Sequence, residues 1–169
     1  MAIITEEDLK KLDDFFDPND IEWRIQSSGF SNGSPWAIAV PYVTNRAIMD
    51  RLDSVCGKSG WQNEFRPGPA GGVICRLSIY VNDRWITKED GAENTEKEPV
   101  KGGLSGAMKR AAVHFGIGRY LYNLPIEFVI FSDNGQHKSK IIDKSTKREF
   151  WLRWDPPKLP EWAMPGGKS

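Results

Sequence analysis

Apolar positions along the chain fall into a few strong patterns. Leu9, Leu12, Phe15 and Phe16 recur at helical spacing after Thr5, Glu6, Glu7 and Asp8. The threonine can cap the first turn, and the acids favour the positive end of the helix dipole. Asp17-Pro18 predicts the end of that helix. Residues 23–34 include a Gly/Ser/Asn-rich stretch, which predicts a loop leading to a short strand from Trp36 to Val40. Ala47, Ile48, Leu52 and Val55 mark a second amphipathic helix from Thr44, closed by Gly57. The middle of the chain predicts a β-meander: Trp61–Arg66, a PGPAGG turn, Val73–Val81, an Asn82-Asp83 hairpin, and Arg84–Glu89. An acidic loop from Asp90 to Glu98 leads to the strongest helix, about Gly102 to Phe115, stopped by Gly116 and Gly118. An apolar run, Ile126–Phe131, a basic hairpin-like stretch, Gln136–Arg153, and a proline-rich tail complete the chain.

This order predicts an α+β fold: an antiparallel β-meander of three to four strands on a long helix, with flanking helices around a strand-strand-strand-helix core. Residues 1–131 are expected to form the core domain, and residues 132–169 a basic hairpin-like segment and tail strapped to it. The length of 169 residues suits one domain with a sizeable core. Seven tryptophans and 11% aromatics exclude wholesale disorder. No run approaches the ~18–20 apolar residues of a membrane helix, so no membrane partner is expected. The acidic start lacks an apolar signal core, and Cys56 and Cys75 read as reduced thiols. Both point to the cytoplasm, with the nucleoid as the place of action if the partner is DNA.

Charge changes the picture through its distribution. The net charge is zero. Yet residues 5–22 hold eight acids and two lysines, whereas residues 100–119 hold Lys101, Lys109, Arg110 and Arg119 and no acid. Residues 136–153 hold six basic residues and two acids. Such runs suit either a solvated surface or a polyanion site.

Candidate chemistry narrows the choice further. His114 and His137 share no ligand spacing, and neither GxSxG nor GxxxxGK[ST] occurs. The glycines of GIGRY follow a helix and do not open one, so they form no phosphate cradle. No catalytic residue, metal or cofactor is expected. On a helical wheel of about 100° per residue, Leu104, Met108, Ala111 and Phe115 form one buried stripe. Lys109 and Arg110 fall opposite, beside Gly102, Gly106 and Val113. A phosphate backbone can approach such a face closely. The same face can be an ordinary solvated one, with the glycines outside a helix that starts at Ser105.

The segment KGGLSGAMKRAAVHFGIGRYLYNL resembles the signature helix of the Rad-fifty-two-type single-strand annealing proteins, which include bacterial DNA-damage-response proteins and phage annealing recombinases. A second match, PYVTNRAIMDRLDSVCGKSGWQ, has the family's tyrosine, helix and Gly-x-x-Gly-Trp. The resemblance covers roughly residues 20–125. It implies cofactor-free binding of single-stranded DNA and annealing of complementary strands, by a closed ring of roughly ten copies. Carried over by position, Lys109 and Arg110 match basic residues of the family's DNA groove, Tyr42 a groove tyrosine, and Arg24 an upstream arginine. Some relatives have a further arginine where this chain has Val113, a loss that Arg119 can offset. A single-strand-binding protein or a recombinase is a candidate partner.

Several residues carry two readings. Tyr42 either staples the entry of the second helix or contacts nucleic acid. Trp61 reads as core. Lys101 flanks the acid-free helix. Arg76 and Arg84 either contact DNA at a secondary site or are routine surface residues of the meander. Two other functions compete with an annealing ring: a monomeric RNA- or DNA-binding module, and a metal-dependent nuclease using Asp90, Glu93 and Glu96.

Overall fold

The computed structural model describes residues 4–96 and 98–166. It is the expected α+β fold with antiparallel sheets. Helix α1 (Glu6–Leu9) has the Thr5 cap, and Asp8 returns a bond to the Thr5 backbone. It is shorter than the apolar spacing predicts: after a 3-10 turn, Lys10–Asp13, the chain is extended. The reason is tertiary. The Arg51 guanidinium takes the carbonyls of Lys11, Leu12, Asp14 and Phe15 at 2.6–3.4 Å. A continuing helix would need to satisfy the same carbonyls itself. Leu12 and Phe16 still reach the core.

Strands β1 (Ile21–Ser31) and β2 (Ser34–Val43) form a long antiparallel ribbon. This corrects the predicted loop at 23–34. Asn32 and Gly33 turn with φ of 50° and 78°, the left-handed pair that matches the twist of a hairpin. Midway, Gly29 leaves room for the Trp36 indole, which a Cβ there would approach to 3.1 Å. Helix α2 (Asn45–Cys56) follows as expected, with Thr44 capping it and Gly57 ending it at φ 73°.

Strands β3 (Trp61–Pro67), β4 (Val73–Val81) and β5 (Arg84–Ala92) form the expected meander, in that order. Asn82 and Asp83 turn at φ of 48° and 62°. β5 runs three residues past its predicted end, so Asp90 lies in a strand and not in the acidic loop. Helix α3 (Pro99–Val113) packs on β4 and β5. Met108 and Ala111 of its apolar stripe are buried, whereas Leu104 and Phe115 are half-buried. Its glycines do not form an open face. A Cβ on Gly103 would meet Asn94 Oδ1 at 2.6 Å and Val73 at 3.0 Å, and one on Gly106 would meet Ala92 at 3.1 Å. They let the helix lie close against the edge of the meander.

Strands β6 (Ile130–Phe131), β7 (His137–Asp143) and β8 (Arg148–Asp155) make a third sheet, in the order β6-β8-β7. The larger core joins α2, α3 and the meander, and the tail contributes Ala163 to it. A smaller core fastens the third sheet to the ribbon through Ala37, Ala39, Val129, Ile141 and Trp154.

Candidate nucleic-acid interface

Strand alternation gives the β1–β2 ribbon two faces. Trp23 and Ile25 turn toward the smaller core. Glu22, Arg24, Val40 and Tyr42 occupy the other face, with Glu22 paired to Tyr42 and Arg24 to Val40. Helix α3 runs past this face. Lys109 Nζ sits 4.4 Å from the Tyr42 ring centroid, and Arg24 Cζ sits 6.0 Å from it. Both lie within cation–π reach. Three predicted residues from three elements thus converge on one ring.

The electrostatics of this cluster follow from partial burial. Lys109 is half-buried, and desolvation pulls its ammonium pKa below the ordinary lysine value; Glu22 opposes this and Arg24 reinforces it. Tyr42 is raised, first by burial and then by its hydrogen bond to Glu22, with Arg24 pulling the other way. Glu22 is the neighbour of the cluster that sequence reasoning missed. It is one of eight acids in an acidic segment, and only the β1–β2 register puts it beside the tyrosine.

Arg110 does not share this face with Lys109, which corrects the common outward face expected from the wheel. Adjacent helical residues diverge by about 100°, and here Lys109 leans toward β2 and Arg110 toward β5. Arg110 Nε lies 3.1 Å from Asp90 Oδ1, and His114 Nε2 lies 2.9 Å from Asp90 Oδ2. Burial raises the Asp90 pKa, but His114, the Gly91 N–H and Arg110 outweigh it, and the net shift is downward.

Most of the remaining candidates have structural partners. Arg119 donates to the carbonyls of Val113 and His114 at 2.7–3.0 Å, capping the C-terminal end of α3. Lys101 stands in the first turn of α3, 3.4 Å from Glu98. Arg76 bridges Glu89 at 2.9 Å and Glu64 at 3.4 Å on the meander, and Arg66 joins them through Glu89. Arg84 is exposed at the β4–β5 turn. Trp61 donates its indole N–H to Asp53 at 2.7 Å and packs on the larger core. Among the described residues no three His, Cys, Asp or Glu side chains are placed to hold a metal ion. No helix among them is long and apolar enough to cross a membrane.

An antiparallel meander packed on a long helix, with a β-ribbon whose Arg24 and Tyr42 meet Lys109 of that helix, is the α+β architecture in which the site sits. Residues 5–140 match the family model described as Rad52/22 family double-strand break repair protein, and the chain belongs to that family. It is 31% identical to the single-stranded DNA-binding protein DdrA of Deinococcus deserti, over 87% of this chain and 71% of the relative. It is also 31% identical to the single-stranded DNA-binding protein DdrA of Deinococcus radiodurans, over 92% of this chain and 67% of that relative.

Proposed function

We propose that this protein binds single-stranded DNA between the β1–β2 ribbon and α3, and that it anneals complementary strands during double-strand break repair. The observation that carries the reading is the convergence of Arg24 and Lys109 on the Tyr42 ring. A half-buried ammonium has lost part of its hydration. An incoming phosphate adds a charge partner beyond Glu22 and replaces lost hydration, so the site gains more from an anion than a fully hydrated lysine would. Arg24 supplies a second cation on the same face. Tyr42 offers its ring edge and hydroxyl to a sugar or base. Arg110 joins when a phosphate displaces Asp90, and Lys101 extends the positive path toward the start of α3.

Annealing follows from charge. Two bare strands repel each other, and neutralised phosphates remove much of that repulsion. Phosphate contacts leave base edges free to pair and carry no sequence information. No bond is made or broken, so the reaction requires no catalytic residue and no cofactor.

Self-assembly has its own support. Ile126, Phe128 and Ile130 alternate along one extended segment and are 76%, 64% and 60% exposed. Such an apolar stripe suits a repeated contact between copies, and a heterologous contact that closes makes a ring. The test is direct. Fluorescence anisotropy with labelled oligo-dT should show binding that weakens steeply with salt. Mixed complementary oligonucleotides should anneal faster with the protein, without nucleotide or metal. Absence of oligo-dT binding at low salt would refute the proposal, and a monomer in sedimentation would refute the ring.

A further inference from the structure

The third sheet has two faces of different chemistry. Ile141, Leu152 and Trp154 turn inward onto the ribbon. The opposite face carries Lys138, Lys140, Trp151 and Arg153, with Lys140 directly across from Trp151 and Lys138 directly across from Arg153; Ile142 and Glu149 lie at one end of it and Ile130 of β6 at the other. Trp151 is 64% exposed, the most exposed tryptophan among the described residues. Lys140 is partly satisfied by Glu149 at 3.2 Å. One Arg153 nitrogen donates to the Gly135 carbonyl at 3.1 Å, which leaves the rest of its donor fork facing outward.

From this arrangement we infer that the outer face of β7–β8 is a second, separate contact for single-stranded DNA, with a base stacked on Trp151 and phosphates on Lys138 and Arg153. Exposed aromatics bordered by cations are the two components that hold single strands without sequence preference. A duplex keeps its bases stacked on each other and has no free base face for the indole. An acidic peptide would use the cations and leave the indole idle. The platform and the Tyr42 groove lie on opposite sides of two β layers, because the third sheet covers the ribbon face that carries Trp23 and Ile25. A strand long enough to reach both must pass around the ribbon edge. β8 also lies beyond the residues matched by the family model.

The inference rests on the reading that the chain binds single-stranded DNA, and the experiment separates the two. Oligo-dT of about 12 and about 40 nucleotides spans the range from one contact to two. Binding of both is measured by anisotropy with the full chain, with Trp151→Ala, with Trp151→Phe, and with Lys109→Ala/Arg24→Ala. Trp151→Ala should weaken binding of the long strand roughly 5-fold or more. Trp151→Phe should recover most of that loss. Ultraviolet cross-linking of oligo-dT should label the peptide containing Trp151 even in Lys109→Ala/Arg24→Ala. If Trp151→Ala binds both lengths as wild type while Lys109→Ala/Arg24→Ala is impaired, the platform is overturned and the groove stands. If wild type binds neither strand, both are overturned. Equal Trp151-dependent binding of poly-glutamate would also overturn the platform, since it would mark a site for polyanions in general.

Discussion

The Lys109 ammonium of α3 lies 4.4 Å from the ring centre of Tyr42 on β2, so a helix and a β-ribbon meet at a cation–π contact. Arg24, one strand away, approaches the same ring. The contact holds a cation in place before any ligand arrives and keeps it partly dehydrated.

Lys109→Ala should therefore leave the fold intact, since alanine is the better helix former, and should weaken oligo-dT binding. Each lost phosphate contact lowers the magnitude of the salt slope by about 0.7. Lys109→Ala/Arg24→Ala should lower it by about 1.4. A double variant with the wild-type slope would place the DNA elsewhere.

The depressed Lys109 pKa has a pH signature. Its charge is lost at a lower pH than an ordinary lysine's. Affinity for oligo-dT should thus fall with rising alkalinity sooner in wild type than in Lys109→Arg, whose guanidinium stays charged. Superimposable pH profiles would show that this ammonium is not a contact.

Asp90→Asn should act in two ways. It frees Arg110, so oligo-dT should bind more tightly and with a steeper salt dependence. It also removes a carboxylate whose folded pKa is held low by His114, the Gly91 N–H and Arg110. Such a group contributes stability above the ordinary carboxylate range, and that stability is lost as pH falls through the depressed value. The acid limb of stability measured by urea unfolding should be flatter in the variant.

Trp154 is 2% exposed and anchors the third sheet on Ala37 and Ala39. Trp154→Ala should cost about 3–5 kcal/mol of stability, read as a lower urea midpoint. A loss under about 1 kcal/mol would mean that the third sheet is not a cooperative part of the fold.

On the proposed self-assembly, Phe128→Glu places a charge in the exposed apolar stripe and should lower the mass seen in sedimentation while native circular dichroism is retained. Separately, burial pushes the Cys56 and Cys75 thiols up to about 11. Both should resist iodoacetamide at neutral pH until the chain is unfolded.

Much of this protein is encoded locally. The alternation of Val73–Val81, the Asn82-Asp83 turn, the Thr44 cap and the Gly57 stop each depend on backbone preferences within a few residues. They make α2 and the meander legible from local sequence. The order of residues across 5–140 likewise carries the family. Other features needed distant partners. The strand Ile21–Ser31 ends in a Ser-Ser-Gly-Phe-Ser stretch that reads locally as a loop, and it is extended because β2 completes its hydrogen bonds. The end of α1 is decided by Arg51, which reaches it from α2. Whether Arg110 faces Tyr42 or Asp90 depends on how α3 rotates against β5, a rotation set by close contacts at Gly103 and Gly106. Periodicity records which side of an element is apolar. It carries no information on which neighbour a polar side chain will meet, because that neighbour is chosen by register and by the approach of elements far apart in the chain. The groove around Tyr42 is therefore a property of the tertiary structure, built from residues whose types, taken singly, the sequence already displayed.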